Sequence, residues 1–266
     1  MLAAAGDERP AQLAAGLGLP LVGQEDAARL VLVYGPAGLE LRAPGRRLTP
    51  LRVDFEQIGS HGGGDLLRAA RVKNRPARLL DLTAGLATDA WRLARAGFDV
   101  IACERQSVIH ALVQDALQRA PRLPFPGSLA LVHADARAML GTADLGPVDV
   151  IYLDPMFPGE GRTALPKRAL QLLRELTGDD EGGAQLLALA RTRARRRVVV
   201  KRPLRAPALA ADVDLCFKGR AVRFDVYLSA ANPGGRVPDN GSEATAVDAR
   251  NKKDRRRPVD SRVPAQ

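Results

Sequence analysis

The sequence predicts an α/β protein: a doubly wound, Rossmann-like sheet with an antiparallel edge strand and a small N-terminal β-rich extension. Three observations lead there. From Arg78 onward short apolar runs alternate with amphipathic helical stretches, the rhythm of a βαβ series and so of a parallel sheet covered on both faces. The last two β-rich runs are parted only by Gly219, Arg220 and Ala221 or so, a spacing that joins antiparallel neighbours at a sheet edge. Ahead of the series, "ARLVLVYGPAGLELRAP" holds two β-rich runs around Gly35, Pro36, Ala37 and Gly38, which reads as a hairpin.

The elements follow in order. Residues 1–76 form the lead-in: the hairpin, then "RVDFEQIGSHGGGDLLRAARVK", where Gly62, Gly63 and Gly64 precede a helical stretch from about Asp65. Three glycines in a row suit a mobile loop or one that approaches a ligand closely, and a plain surface linker has the same spacing. Residues 77–230 carry the alternating series, with strands "RLLDL", "DVIAC", "LALVH", "VDVIYL" and "RRVVVK". Helices are expected around 88–96, 107–120, 136–140 and 168–194, the last broken near "TGDDEGG". The strands "DLCFK" and "RFDVYLS" close the edge. Residues 231–266 lack apolar periodicity and are rich in breakers, so they read as a disordered basic tail.

At 266 residues, with 46% hydrophobic and 26% charged residues, the chain is long enough to bury a real active site. Its apolar runs fall short of the roughly 20 residues that span a bilayer, and the start "MLAAAGDERP" has no basic n-region. Cys103 and Cys216 stand far apart, and His61, His110 and His133 make no ligand-spaced cluster with them. The expectation is a reducing cytoplasm, no membrane contact and no metal; the oligomeric state stays open.

Net charge is +10, and between Arg191 and Arg223 eleven Lys or Arg face two Asp, so that stretch alone carries +9. Clustering of this kind suits a polyanion, because each phosphate neutralised releases counterions. Arg195, Arg196, Lys201 and Arg202 are the candidate contacts, the last two directly after the fifth strand of the series. A solvated basic face is the competing reading, since arginine outnumbers lysine 34 to 6.

In doubly wound sheets ligands bind beyond the carboxyl ends of the strands, so the residues after each strand carry the chemistry. After the first stands "DLTAGLATDAW", with Asp81, Gly85 and Asp89. Its single glycine does not make the G-x-G-x-x-G pyrophosphate fingerprint. The second strand ends at Glu104, placed to accept hydrogen bonds from both hydroxyls of a ribose. The third ends near Asp135, placed to accept from an adenine amino group. Together these acids outline an adenosine without a pyrophosphate, which favours S-adenosylmethionine over a dinucleotide. Its sulfonium and ammonium charges also suit Asp81 and Asp89.

The fourth strand runs into "DPMF", a variant of the Asp/Asn-Pro-Pro-Tyr/Phe element of methyltransferases that modify exocyclic amino groups. Such an amine is a poor nucleophile because its lone pair is delocalised into the ring. The Asp154 carboxylate and the Pro155 carbonyl each accept one N–H and orient the remaining lone pair, while Phe157 stacks on the base.

"DLTAGLATDAW", "CERQSVIHALVQDAL", "YLDPMFP", "RVVVKRP" and "RFDVYL" together resemble the RsmJ family, bacterial methyltransferases that form N2-methylguanosine in 16S ribosomal RNA using S-adenosylmethionine. The resemblance runs from near Leu30 to about Ser229. It implies a class I methyltransferase sheet and cofactor contacts at Thr88 and Asp89, Glu104 and Arg105, Asp135 and Ala136, and Asp154. It implies 16S RNA or the small subunit as partner. "EQIGSHGGG" departs from the family pattern, which carries a basic run before the triple glycine. Two other functions compete: an amino-methyltransferase acting on adenine N6 of DNA or RNA, and a noncatalytic RNA-binding assembly factor on the same sheet.

Overall fold

A computed structural model describes residues 8–24, 28–58, 63–72, 77–120, 126–141, 145–155, 175 and 182–229. It opens with a helix that the hydrophobic pattern did not announce, α1 (Arg9–Leu17). The end signals are present: Pro10 sits in the first turn, where its missing N–H is not needed, and Gly18 caps the end at φ 63°. Only Pro10 and Ala14 are buried, an apolar stripe too thin to stand out in sequence.

The expected hairpin follows as β1 (Val31–Gly35) and β2 (Gly38–Arg42), with Tyr34 opposite Leu39. α2 (Gly64–Ala70) starts on the last of the three glycines, one residue before the expected start. The alternating series then gives β3 (Arg78–Asp81), α3 (Thr88–Arg95), β4 (Asp99–Glu104), α4 (Ser107–Arg119), β5 (Ser128–His133), α5 (Ala136–Gly141) and β6 (Val148–Leu153). It ends in α6 (Gly183–Arg193), β7 (Ala194–Pro203), β8 (Leu215–Lys218) and β9 (Val222–Leu228). Of the helix expected over 168–194, Glu175, which is helical, and α6 are the helical parts among the described residues; the tail 231–266 lies outside them.

Seven strands form one sheet in the order β5-β4-β3-β6-β7-β9-β8, parallel from β5 through β7. The antiparallel hairpin closes the edge as expected, with one difference in detail. β9 pairs with β7 as well as with β8, so the antiparallel strand lies one place in and β8 holds the edge itself. The reason is burial: five of the seven β9 residues are buried, against two of four in β8.

Period-2 alternation splits the core into two layers. Leu79, Val150, Tyr152, Val199 and Val226 point to one face, packed with Leu66, Trp91, Leu93 and Leu112 of the helices on that side. Leu80, Ile151, Leu153, Val198, Val200 and Tyr227 point to the other, against Leu140, Leu186 and Leu187. β6 is therefore buried at every residue, which is why "VDVIYL" is apolar almost throughout. Its Asp149 is 1% exposed and accepts the Arg78 N–H at 3.2 Å, so the buried carboxylate has a partner. Each large side chain fully buried here contributes about 1.5–3 kcal/mol.

The lead-in shares the first of these layers through Leu32, Leu39 and Leu41. α4 anchors it: Asp115 accepts the Leu39 N–H at 3.0 Å, and Arg119 donates to the Val53 carbonyl at 2.8 Å. Phe55 stacks on Trp91 with ring centroids 4.5 Å apart. Gly38, at φ 116°, lies so close to Asp115 and Arg119 that a Cβ would collide with both.

The strand order reverses between β3 and β6. Their carboxyl ends open the crevice where doubly wound sheets bind ligands.

Candidate active site

The loop after β3 is tied to both of its neighbours. Ala84 N–H donates to the Cys103 carbonyl at the end of β4 (3.0 Å), and Leu82 N–H donates to the Tyr152 carbonyl in β6 (3.1 Å). Thr83 Oγ1 accepts the Asp154 N–H at 2.6 Å. That last bond answers the peculiarity of a strand ending in Asp-Pro. Pro155 has no N–H to give, and the last free donor of the strand is taken by a hydroxyl from the adjacent loop. The loop passes through Gly85 at φ 51° and Ala87 at φ 55°, the one non-glycine residue with positive φ among those described. Left-handed backbone at an alanine costs of order 1–3 kcal/mol and collects at functional sites.

On the face of the sheet shared by Tyr152 and Val199, the same alternation sets Asp154 and Lys201 side by side. Lys201 Nζ lies 2.8 Å from Asp154 Oδ2 and 2.8 Å from Asp89 Oδ2, with its side chain 18% exposed. Asp89, near the start of α3, also accepts the Tyr152 hydroxyl at 2.8 Å and pairs with Arg92 at 3.1 Å. Burial works against the Asp89 charge, but Lys201, Tyr152 and Arg92 outweigh it and hold the carboxyl below its ordinary range. Burial likewise opposes the Lys201 charge and is overcome by the two carboxylates, so the ammonium persists. The Asp154 carboxyl is pushed up by burial while Lys201 pulls it back, and its 34% side-chain exposure tempers both. Asp81, 1% exposed with Oδ1 on the Thr83 N–H at 3.0 Å, is pushed well up by burial and by the charges of Asp89 and Asp154.

Glu104 closes β4 and is clasped by the loop beside it. One oxygen accepts the Gly85 N–H at 2.9 Å and the other the Gln106 N–H at 2.7 Å. Burial raises its carboxyl even so. Arg105 next to it is exposed, and its carbonyl contacts His133 Nε2 at 3.0 Å. Asp135 is also exposed, and its Oδ1 accepts the N–H groups of Arg137 (2.8 Å) and Ala138 (3.3 Å), so it caps α5, which Ala136 begins. Asp81, Gly85, Thr88, Asp89, Glu104, Arg105, Asp135, Ala136 and Asp154 thus stand at the carboxyl ends of β3, β4, β5 and β6. Pro155 is buried next to Asp154, and Phe157 lies outside the described residues.

The candidate phosphate contacts are not brought together. Arg195 and Arg196 are exposed but belong to the amino-terminal end of β7, level with the start of β6. Lys201 is six residue steps along the strand from Arg195, about 20 Å at ~3.3 Å per residue. Lys201 is committed to the two carboxylates, and Arg202 is 3% exposed with Nε on the Pro207 carbonyl at 3.0 Å. A strand has two ends and two faces, and closeness along the chain reports neither. Sequence reasoning missed Lys201 as the partner of Asp89 and Asp154, and Tyr152 as a donor to Asp89. The signal was present in the shared parity of Tyr152 and Asp154, but the alignment of β6 with β7 was needed to use it. Of the triple glycine, Gly63 and Gly64 are described, and Gly63 lies against Arg92 of the same network.

Among the described residues no group of His, Cys, Asp and Glu is arranged to hold a metal ion, and no helix is long and apolar enough to cross a membrane. Comparison with known proteins adds names to the geometry. The family described as "Putative SAM-dependent methyltransferase" matches residues 12–229. Ribosomal RNA small subunit methyltransferase J of Coxiella burnetii is 42% identical over 231 residues, covering 82% of this chain and 91% of the relative. The protein of the same name from Thioalkalivibrio sulfidiphilus is 40% identical, covering 84% and 93%. A crystal structure of a SAM-dependent methyltransferase from Neisseria gonorrhoeae superposes with a TM-score of 0.69 at 26% identity, covering 89% of this chain and 98% of that one.

Proposed function

The chain belongs to the SAM-dependent methyltransferase family, and on that premise we propose that it forms N2-methylguanosine in the 16S RNA of the small ribosomal subunit, a cytoplasmic reaction. The observation that carries the reading is Asp154: a carboxylate at the end of β6, beside the crevice, with its N–H held by Thr83 and its Oδ2 by Lys201. The name shared by the relatives supports small-subunit ribosomal RNA as substrate, and the resemblance of "DPMF" to amino-methyltransferase elements supports an exocyclic amine.

The residues present fit S-adenosylmethionine. Asp81, Asp89 and Asp154 set three acids around two cations, Lys201 and Arg92, an excess of acid groups; the Asp81 carboxyl is raised chiefly by burial, and the charges of Asp89 and Asp154 add to the rise. A cationic ligand relieves such an excess, and a pyrophosphate aggravates it. When bound, S-adenosylmethionine supplies an electrophilic methyl group on a sulfonium centre. Glu104 accepts the ribose hydroxyls with Arg105 alongside, Asp135 and Ala136 meet the adenine edge, and Asp81, Gly85, Thr88 and Asp89 hold the amino-acid end.

The chain's own work on the substrate is to orient it. The Asp154 carboxylate and the Pro155 carbonyl each take one N–H of the guanine amine, which turns its lone pair out of the ring system, and Phe157 stacks on the base. Alignment of this kind is worth up to about 7–11 kcal/mol of barrier. As the N–C bond forms and the methyl's bond to sulfur breaks, the amine gives up a proton, and the Asp154 carboxylate that accepts its N–H, raised by burial against the pull of Lys201, is placed to receive it.

Labelled S-adenosylmethionine incubated with small subunits, or with naked ribosomal RNA, from a strain lacking the enzyme tests this directly. Label on guanosine N2 of 16S RNA is the expected result; label on adenine, or none, overturns the reading.

A further inference from the structure

We infer that the RNA backbone is gripped by a basic rim at the catalytic end of the sheet, made of Arg205, Lys218 and Arg220, and that the exposed arginines of early β7 are not part of it. The inference rests on RNA being the substrate and says which surface receives it.

The rim begins where β7 leaves the site. Two residues beyond Lys201 the strand ends at Pro203, and the chain turns with the Ala206 N–H on the Pro203 carbonyl at 3.1 Å. Two buried arginines pin this turn from beneath. Arg223 Nη1 donates to the carbonyls of Pro203 (2.9 Å) and Leu204 (2.8 Å), and Arg202 Nε donates to that of Pro207 (3.0 Å). Arg223 is itself fixed by a two-point contact with buried Asp225, at 2.8 and 3.0 Å. The turn so held presents Arg205 and Leu204 outward, the latter 38% exposed, an unusual place for a large apolar side chain.

The β8–β9 turn stands at the same end. Lys218 pairs with Arg223, which pairs with Arg202, so Lys218 lies two strands over, about 10 Å at ~4.8 Å per strand. Gly219 N–H closes this turn on the Val222 carbonyl at 2.8 Å, leaving Lys218 and Arg220 exposed. Neither 203–211 nor 215–223 contains an acidic residue. Asp65, the acid beside Gly219, is paired with Arg68 at 3.4 Å, and Asp212 with Arg191 at 2.8 Å. Three exposed cations and an exposed leucine at one end of the sheet, on one turn pinned by buried arginines and another closed by a backbone hydrogen bond, suit phosphates with a sugar or base laid between them. Arg195 and Arg196 sit at the far end of β7, where a strand entering the crevice does not pass.

The test compares two triple variants of the full chain, Arg205→Ala/Lys218→Ala/Arg220→Ala and Arg193→Ala/Arg195→Ala/Arg196→Ala, in binding and methylation of unmodified small subunits and naked ribosomal RNA. Cofactor affinity by calorimetry and Tm serve as folding controls, and the single Arg205→Glu variant replaces the rim triple if that one fails them. The rim variant should lose at least tenfold in RNA affinity, and its slope of log affinity against log salt should fall by about 2 to 3, somewhat under one for each phosphate no longer neutralised. The distal variant should keep the wild-type slope. Wild-type affinity and slope in the rim variant, or equal losses in both, overturn the rim while leaving the substrate reading standing. A wild-type chain that neither binds nor methylates ribosomal RNA overturns that reading and the rim with it.

Discussion

Replacing Lys201 by Met keeps the length and apolar stem of the side chain and removes the charge that two carboxylates share. Lys201 Nζ sits 2.8 Å from both Asp89 and Asp154 and its side chain is 18% exposed. Breaking a buried pair by deleting one partner costs about 3–5 kcal/mol, because the remaining charge is stranded. Asp154 keeps 34% side-chain exposure and Asp89 keeps Arg92, so the lower end applies, about 3 kcal/mol, or roughly 6–12 °C in Tm for a chain of this size. The loss depends on pH. In the wild type Asp89 lies below its unfolded value near 3.8, so its contribution is present above that pH and fades only as pH falls through the lower folded value. Without Lys201 burial dominates, the folded value rises above the unfolded one, and stability is lost as pH rises from about 4 instead. Urea unfolding of both proteins at pH 5 and pH 8 reads this out: the gap between them should widen at pH 8. Lys201→Arg should recover most of the stability and less of kcat, since a planar fork does not replace a point charge between a carboxylate on α3 and one at the end of β6. Equal stability of Lys201→Met and wild type at pH 8, or a gap independent of pH, refutes the argument.

Asp81→Asn should stabilise the protein at neutral pH. The wild-type carboxyl is raised by folding, so stability falls as pH climbs from about 3.8 toward the folded value, and the Tm advantage of Asn should vanish below pH 4; the same change should weaken S-adenosylmethionine binding. Asp154→Ala should lower kcat at least a thousandfold and leave cofactor affinity within severalfold, and unchanged turnover would remove Asp154 from the chemistry. Glu104→Gln turns an amide NH2 toward one of two backbone donors, Gly85 or Gln106, and should raise the cofactor Kd about 10- to 100-fold by calorimetry without altering KM for RNA.

Much of the fold was legible because the signals that set it are local. The strands from "RLLDL" to "RFDVYLS" announce themselves by short apolar runs, and α3 and α4 by their spacing. α1 did not, since two buried side chains make no periodic pattern. The hairpin of the lead-in was visible, whereas its union with α4 through Asp115, Arg119 and Gly38 was not, because those contacts join segments some 76 residues apart.

The candidate site divides in the same way. By itself the sequence determined that acids stand after β3, β4, β5 and β6, and that "DPMF" closes the fourth strand of the series, because the end of a strand is a property of the strand's own residues. Only the tertiary structure decided that Lys201 serves Asp89 and Asp154, that Arg202 is buried beneath a turn, and that Arg195 faces the wrong end of the sheet. Which strands are neighbours, and in what register, is set by packing across the whole core, and a one-residue slip in β7 would have turned Lys201 to the opposite face.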